Sequence, residues 1–286
     1  MKIAHAPSRT RDFILRGLHQ LPLIKSFFEK SEMAQTVELA QSSLEQEQDF
    51  IILNSGWARQ IVPFDTKNVL ARMETIDRIN GNYNLEKGTS PSSHWSRIYE
   101  YPYAAYELRD IKKGGCILDC GCGVNSFQFY LAEQGFEVYG VDSYLPCLEK
   151  VEAWRDQSGL TNLKPTFGSV LKLPFTDFYF DGASCISVLE HMSVSSENSK
   201  LVLKGSINEM LRVLRKGAPL VLTFDVNFGK KQRGLNITFK EYSELCSILR
   251  IETTSLPEDR LFSSDTKEGL LVGKDLAVYS ATLTKA

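Results

Sequence analysis

The sequence has little of several features that would classify it at once. Its six cysteines form no Cys-x-x-Cys pair and it contains only four histidines, so the usual ligands of a zinc site are scarce and we expect buried thiols in a reducing compartment. No apolar run approaches the roughly 18 residues that a membrane span needs. Residues 1–13 lack the apolar core of a secretory signal. We therefore expect a cytoplasmic protein that does not cross a membrane.

A strong excess of charge of one sign is also missing. The 33 basic and 35 acidic side chains leave a formal net charge of −2. Binding to nucleic acid needs a basic surface that contacts phosphates, so we expect no nucleic-acid partner. With 286 residues, 43% of them hydrophobic, the chain can bury a large core without disulfides or structural metals. The composition leaves the oligomeric state open.

The chain has two regions that differ in their sequence pattern. Up to about residue 110 it is polar, its apolar residues recur at helical spacing, as at Val69, Met73 and Ile76, and strand signals are almost absent. From residue 114 onward, short apolar runs alternate with helical segments. That alternation is typical of a mostly parallel sheet covered by helices.

A stretch rich in glycine, serine and proline, residues 88–93, lies near the end of the first region. Such a composition is typical of a connector or a hinge. We therefore predict a helical extension or cap over residues 1–93, followed by an α/β domain with a doubly wound sheet over residues 94–286.

The most informative segment predicts a strand, a glycine turn and a helix after residue 116. Gly121 and Gly123 allow the backbone to turn tightly and to approach a ligand closely. The helix that follows offers free N–H groups to that ligand. The next strand ends at Asp142, about 20 residues after the first glycine, where a carboxylate suits the hydroxyls of a ribose.

This pattern fits two classes of cofactor, dinucleotides and S-adenosylmethionine. The dinucleotide fingerprint has a glycine where Ser126 stands. The carboxylate of Asp119 would repel a pyrophosphate but can hold a cationic amino group, directly or through water. We therefore favour S-adenosylmethionine and keep a nicotinamide-dependent oxidoreductase as an alternative.

Four segments, in order along the chain, resemble the class I S-adenosylmethionine-dependent methyltransferases, and within them the methyltransferase 11 family. Residues 117–123, Ile-Leu-Asp-Cys-Gly-Cys-Gly, are similar to the first motif of that class. Residues 168–181 are similar to the family's GDAxxLPFxDxxFD segment. Residues 187–191 and residues 209–223 resemble the next two motifs of that family. The resemblance spans about residues 115–225.

The resemblance implies a Rossmann-like methyltransferase sheet of seven strands, the last two of which we expect at residues 249–253 and 276–283. It also implies S-adenosylmethionine as the cofactor. The implied activity is O- or N-methyl transfer to a small-molecule or carrier-bound acceptor, for instance a sugar or a natural-product intermediate; a protein or RNA acceptor is an alternative within the same class.

The resemblance further implies which residues hold the cofactor. They are Asp119, Gly121, Gly123 and Ser187 for the methionine part, Asp142 and Ser143 for the ribose, and Ser169 and Val170 for the adenine. Tyr99, on an aromatic stripe that precedes the sheet, is a further candidate. Two positions depart from the family pattern, because Asn125 replaces a glycine and Ser169 replaces a carboxylate. These departures leave a non-catalytic binding module as a second alternative.

A general base is needed only when the acceptor must lose a proton. His191 is the first candidate, because it follows Glu190 near the expected mouth of the site. His94, on the aromatic segment, is the second. Some methyltransferases that are similar around Glu190 and His191 use these two positions, with an earlier acidic residue, to bind a divalent cation. In this chain the earlier position is Ser187, so we expect no metal.

Overall fold

Strands and helices alternate from residue 116 onward, as the periodicity predicts. The computed structural model describes residues 22–57, 66–94, 96–192, 198–227, 237–251 and 276–286. The strands are β1 Phe50–Trp57, β2 Cys116–Cys120, β3 Glu137–Asp142, β4 Leu163–Phe167, β5 Gly182–Ile186, β6 Pro219–Asn227, β7 Ile237–Thr238 and β8 Leu276–Lys285. The helices are α1 Pro22–Ser43, α2 Thr66–Ile79, α3 Arg97–Glu107, α4 Phe127–Glu133, α5 Leu145–Ser158, α6 Ser199–Val213 and α7 Phe239–Leu249.

The sheet has the order β1-β8-β6-β5-β2-β3-β4, and the short β7 pairs with β6. Strands β2 to β6 are parallel, whereas β8 is antiparallel to both of its neighbours, β6 and β1. From β2 the chain runs outward through β3 and β4, and then returns to the other side of β2 for β5 and β6. The predicted doubly wound α/β fold with seven main strands is confirmed. Its order reverses beside β2, and ligands of such sheets bind where that reversal occurs.

Helices cover both faces of the sheet because its central strands are buried on both sides. On β2, Leu118 and Cys120 belong to the core beneath α6 and α7, whereas Ile117 belongs to the core beneath α2, α3 and α4. Helix α1 packs against α6 at a point of close approach. A Cβ atom added at Gly205 would lie 2.9 Å from the backbone oxygen of Ala40, so only glycine fits there. No helix within the described ranges has the length and apolar character of a membrane span.

The first strand comes from the part of the chain where we expected almost none. Strand β1 pairs antiparallel with β8, with Trp57 opposite Tyr279 and their ring centroids 5.0 Å apart. The prediction of a nearly strand-free segment before residue 110 is therefore wrong. A register shift between Ile52 and Asn54 breaks the alternation of side chains that marks a strand in sequence. The domain boundary at residue 93 stays a prediction, although β1 lies in the same sheet.

The two strands expected at the end of the chain had different outcomes. Strand β8 lies where residues 276–283 predicted it. The strand predicted over residues 249–253 is wrong at its start, because Leu249 ends α7 and Arg250 has a φ angle of 58°, in the left-handed region. Its last two residues lie outside the described part of the chain. Strand β1 supplies the seventh strand in its place.

Candidate functional site

A cavity of about 490 Å³ lies over the carboxyl ends of β2 to β5, where the strand order reverses. Its volume is in the usual range of small-molecule sites. The wall brings together most of the predicted site residues, namely Gly121, Gly123, Asp142, Ser143, Ser169, Val170, Ser187 and His191.

The glycine turn after β2 has the geometry that its sequence predicts. Gly121 and Gly123 have φ angles of 65° and 49°, a region that other residues rarely adopt. A Cβ atom added at Gly121 would lie 2.5 Å from a methyl carbon of Val188. The turn therefore needs glycine both for its conformation and for its passage beneath the segment that follows β5.

The Asp142 carboxylate is fixed at the end of β3 by two backbone donors. The N–H of Gly123 donates to Oδ2 at 2.9 Å, and the N–H of Tyr144 donates to Oδ1 at 2.8 Å. The first of these bonds ties β3 to the glycine turn. Each carboxylate oxygen keeps a lone pair with which it can accept a hydroxyl hydrogen from a ligand in the cavity.

Asp119 lies beneath the cavity and is not part of its wall. Its Oδ1 accepts a hydrogen bond of 2.8 Å from Ser184, on the neighbouring strand β5, while Oδ2 has no partner among the described residues. Burial raises the pKa of this carboxyl to about 6. An unpartnered buried carboxylate oxygen suits a cationic group such as the amino group of S-adenosylmethionine, so the residues present fit that cofactor.

The two departures from the family pattern have clear structural roles. The Oδ1 of Asn125 accepts the N–H groups of Phe127 and Gln128 at 3.0 and 3.3 Å, and its amide donates to the carbonyl of Cys122. Asn125 therefore closes the turn and caps α4. In Ser169 the hydroxyl oxygen accepts the N–H of Leu171 at 3.2 Å, which leaves the hydroxyl hydrogen for a ligand.

The two candidate bases lie in different positions. His191 is in the cavity wall, and both burial and the positive charge of Arg97 lower its pKa, so its imidazole is neutral at pH 7. His94 lies outside the wall, with Nδ1 3.2 Å from the hydroxyl of Ser96, and burial and Arg97 also lower its pKa. Tyr99 is half-buried on α3, outside the wall as well. The roles of these residues stay predictions.

Helix α3 brings to the cavity a buried network that the sequence patterns did not predict. Arg97 lines the wall and donates to the Glu100 carboxylate and, at 2.5 Å, to the Ser187 hydroxyl. The buried Glu100 accepts hydrogen bonds of 2.7 Å from Ser187 and from Thr223 on β6. Burial alone would raise the pKa of Glu100, but the charge of Arg97 and these hydrogen bonds hold it below its usual value. An Arg-x-x-Glu pair on an otherwise aromatic helix was the available signal.

The same network holds an unusual backbone conformation. Ser187 has a φ angle of 50°, which is uncommon for a residue other than glycine. Its N–H donates to the carbonyl of Thr223 at 3.0 Å, and its hydroxyl is held between Arg97 and Glu100. The strain is therefore sustained by the contacts around it, as is common at binding sites.

A pair of buried acidic residues lies next to this network. Glu190 and Asp225 are both buried, and the Asp225 N–H donates to Glu190 Oε1 at 3.4 Å. Within the described part of the chain, Glu190 Oε2 and Asp225 Oδ1 have no hydrogen-bond partner. Burial raises both pKa values well above the usual range. The negative charge of Glu100 adds to the shift of both groups, and the charge of Asp225 adds to that of Glu190.

Comparison with known proteins supports the family resemblance. Residues 118–222 match the family model described as a methyltransferase domain. The chain is 31% identical over 111 residues to the uncharacterized protein MJ0638 of Methanocaldococcus jannaschii. That match covers 39% of this chain and 41% of MJ0638, so the chain spans less than half of the curated relative that it matches.

Two solved structures share the fold. The [4+2]-cyclase SpnF has a TM-score of 0.51 and 16% identity, over 82% of this chain and 99% of its own. The geranyl diphosphate C-methyltransferase from Streptomyces coelicolor A3(2), solved with Mg²⁺, geranyl diphosphate and S-adenosyl-L-homocysteine, has a TM-score of 0.50 and 13% identity. That match covers 78% of this chain and 98% of the enzyme.

The sheet order and the cavity at its reversal define a Rossmann-like cofactor-binding protein. More particularly, residues 118–222 match the methyltransferase-domain family, as the resemblance to the class I S-adenosylmethionine-dependent methyltransferases implies. For this part of the chain, the predictions of the fold, of a methyltransferase domain and of the cofactor that such domains use are confirmed.

Proposed function

We propose that the protein transfers a methyl group from S-adenosylmethionine to a small-molecule or carrier-bound acceptor in the cytoplasm. The observation that carries this proposal is the bond between Gly123 and Asp142. It joins the turn after β2 to the end of β3 at the wall of a single cavity, and these are the two elements that the family motif implies for cofactor binding.

We assign the two ends of the cavity to the two ends of the cofactor. Asp142 and Ser143 hold the ribose, and Ser169 and Val170 hold the adenine. At the other end the residues for the methionine part are Asp119, Gly121, Gly123 and Ser187. The guanidinium of Arg97, which lines the wall there, supplies a positive charge that suits the cofactor's carboxylate.

When bound, S-adenosylmethionine supplies a methyl group that is already activated on a sulfonium. The chain therefore contributes positioning and the exclusion of water. His191, neutral and in the wall, can take a proton from an acceptor that must lose one, and His94 and Tyr99 remain further candidates for contact with the substrates. The near-neutral net charge supports a small acceptor over nucleic acid.

The test is calorimetric titration of the purified protein with S-adenosylhomocysteine, with NADH titrated in parallel. We expect micromolar binding of the first and none of the second. Asp142→Ala removes the carboxylate from the cavity and should weaken binding at least about tenfold, the equivalent of one charge-assisted hydrogen bond. Asp156→Asn, at an exposed carboxylate paired with Arg155 on α5, is the matched control.

Either failure has a distinct meaning. Binding of NADH in place of S-adenosylhomocysteine would establish the oxidoreductase alternative. Absence of binding by both compounds would contradict the proposal and support a non-catalytic module.

A further inference from the structure

The guanidinium of Arg97 is held through one of its three nitrogens. Its Nη1 donates to a carboxylate oxygen of Glu100 and, at 2.5 Å, to the hydroxyl of Ser187, while its contact with the hydroxyl of Ser96 is long, at 3.5 Å. Within the described part of the chain, neither Nε nor Nη2 makes a hydrogen bond. These two nitrogens form one edge of the planar group and carry two parallel N–H donors. The edge that matches a carboxylate is therefore open.

Two other arginines of this chain show what that edge binds. Arg72 donates from Nε at 2.7 Å and from Nη2 at 2.5 Å to the two carboxylate oxygens of Glu133. Arg212 donates from the same two nitrogens to both oxygens of Glu209, each at 2.8 Å. In each case the edge holds one carboxylate with two bonds. Arg97 has the same two donors available for a carboxylate that comes from a ligand.

The open edge of Arg97 is on the side of the cavity. Arg97 lines the wall and keeps 23% of its side-chain surface exposed, whereas the side chain of Glu100 is fully buried. Tyr101, one turn further along α3, lines the same wall, with its ring centroid 5.7 Å from Cζ of Arg97. Because the buried side chains of Glu100 and Ser187 hold Nη1, the edge of Nε and Nη2 is the part of the guanidinium that is left to a ligand.

The carboxylate of Glu100 is itself fixed to the sheet. One oxygen accepts Arg97, and the other accepts hydrogen bonds of 2.7 Å from the hydroxyls of Ser187 and Thr223. Ser187 follows β5 and Thr223 lies on β6, so the carboxylate is tied to the carboxyl ends of two neighbouring strands. A carboxylate with three donors has little freedom to turn. It therefore sets the orientation of the guanidinium that it holds.

We propose that Glu100 is a positioning residue that holds Arg97 by one nitrogen, so that the Nε–Nη2 edge binds the carboxylate of the cofactor with two hydrogen bonds. This inference rests on the proposed function, which places the methionine part of S-adenosylmethionine beside Arg97. A long side chain that is ordered before the ligand arrives does not have to lose its freedom on binding. The network behind the wall thus contributes to affinity without touching the ligand.

A purely electrostatic role of Glu100 predicts the opposite result. A carboxylate beside Arg97 offsets part of its positive charge and so weakens its attraction for a second carboxylate. If charge were the whole effect, Glu100→Gln would strengthen the binding of a ligand carboxylate. If Glu100 positions Arg97, the same substitution weakens that binding. The sign of the change separates the two roles.

The experiment compares S-adenosylhomocysteine with its decarboxylated analogue, which keeps the amino group and lacks the carboxylate. Calorimetric titration at pH 7.5 should show that the wild-type protein binds S-adenosylhomocysteine at least about tenfold more tightly. Arg97→Lys keeps the charge but has no planar edge, and should lower this preference to about threefold or less. Glu100→Gln should lower it to a similar value, because Arg97 is then no longer held in place.

Thr223→Val provides a second variant that keeps the charge of Glu100. It removes one of the three donors to the carboxylate and has nearly the same shape, so the preference should fall about two- to threefold. Thr223→Ser, which keeps the hydroxyl, should restore most of that loss. The control is Glu74→Gln, on the exposed ion pair with Arg78 on α2, which should leave the preference unchanged. Thermal unfolding establishes that each variant is folded.

Three results would overturn the inference while leaving the proposed function intact. They are equal affinity of the wild-type protein for the two compounds, a preference that is unchanged or higher in Glu100→Gln, and a loss of affinity in that variant by the same factor for both compounds. The last result would mean that Glu100 only supports the fold. Failure of the wild-type protein to bind S-adenosylhomocysteine at all would overturn the proposed function itself.

Discussion

The two ends of the cavity are built in different ways. At the ribose end, Asp142 is held by backbone N–H groups from Gly123 and Tyr144, all within one short stretch of sequence. The other end, where Ser187 follows β5, is called the transfer end. There, side chains from α3, from Ser187 and from β6 meet across large sequence separations, as Glu100 meets Thr223. The first end is thus fixed by local turns, whereas the second exists only once the sheet has assembled.

The two ends also differ in how completely their polar groups are satisfied. Both oxygens of Asp142 have donors, whereas one oxygen each of Glu190 and Asp225 has none among the described residues. Because the donors that hold Asp142 are already in place, this end can bind a ligand of constant shape, such as the cofactor, without rearrangement. The pair of Glu190 and Asp225 therefore lacks the donors that fix Asp142 in place.

The largest effect expected at the cofactor end follows from adding one methyl group. Gly121→Ala would place a Cβ atom 2.5 Å from Val188, in a backbone region that alanine avoids. We expect S-adenosylhomocysteine affinity to fall by at least about 100-fold, because the turn must shift out of the cavity wall. The measurement is calorimetric titration together with thermal unfolding.

Gly159→Ala is the matched control for that substitution. Gly159 has nearly the same φ angle, 68°, but ends α5 with nothing within 4 Å of an added Cβ atom. The Gly159→Ala variant should lose about 1 kcal/mol of stability and no affinity for S-adenosylhomocysteine. Equal affinities for the two variants would show that the close approach to Val188 has no role in binding.

At the transfer end the largest effect is expected on stability. Glu100→Gln would remove the charge that pairs with Arg97 in a buried network, and breaking such a pair costs about 3 kcal/mol. Because the folded-state pKa of Glu100 is lowered, its contribution is present above the unfolded-state pKa and is lost as the pH falls through the folded-state pKa. Denaturant unfolding at pH 7 measures the loss.

The control is again Glu74→Gln, whose exposed ion pair should contribute less than about 0.5 kcal/mol. If Glu100→Gln were as stable as this control, the network would not hold the transfer end together.

Asp119 should make the affinity for the cofactor depend on pH. The pKa of Asp119 is raised to about 6, so its protonated form stabilises the folded protein. This contribution is fully present below the unfolded-state pKa and is lost as the pH rises through the folded-state pKa of about 6. A cationic amino group binds only the ionised form. Affinity for S-adenosylhomocysteine should therefore rise about tenfold between pH 5 and pH 7.

Titration of Asp119→Asn over the same range distinguishes Asp119 from other groups that change charge. The variant should show a flat profile at the lower affinity. A rise that persists in the variant would place the titrating group elsewhere, with His191 the next to be tested.

These differences explain which features could be predicted from the sequence. Gly121, Gly123 and Asp142 lie in one contiguous strand–turn–helix–strand segment, so periodicity and glycine placement predict both their elements and their meeting point. Glu100 and Thr223 are brought together only by the tertiary fold, and no local pattern indicates their contact.

The failures within the fold have a similar cause. Strand β1 was missed because the shift between Ile52 and Asn54 disrupts the period of two residues. The pattern of residues 249–253 indicated a strand that begins at Leu249, whereas α7 continues to Leu249 and the left-handed Arg250 follows it. In both cases a backbone irregularity, which apolar spacing does not reveal, decides the outcome.

The smallest expected effect concerns the adenine side, where the sequence departs from its family. Ser169→Asp restores the carboxylate that relatives have at this position. Aspartate can accept the Leu171 N–H as serine does, so the turn should persist. A charged acceptor is stronger than a neutral hydroxyl by about 1 kcal/mol, so affinity for S-adenosylhomocysteine should increase about fivefold. Calorimetry with inosine- and adenosine-containing analogues checks the cause, because inosine lacks the amino group that the carboxylate would accept from. A gain that is equal for both bases would mean that the new carboxylate acts through the turn and does not contact adenine.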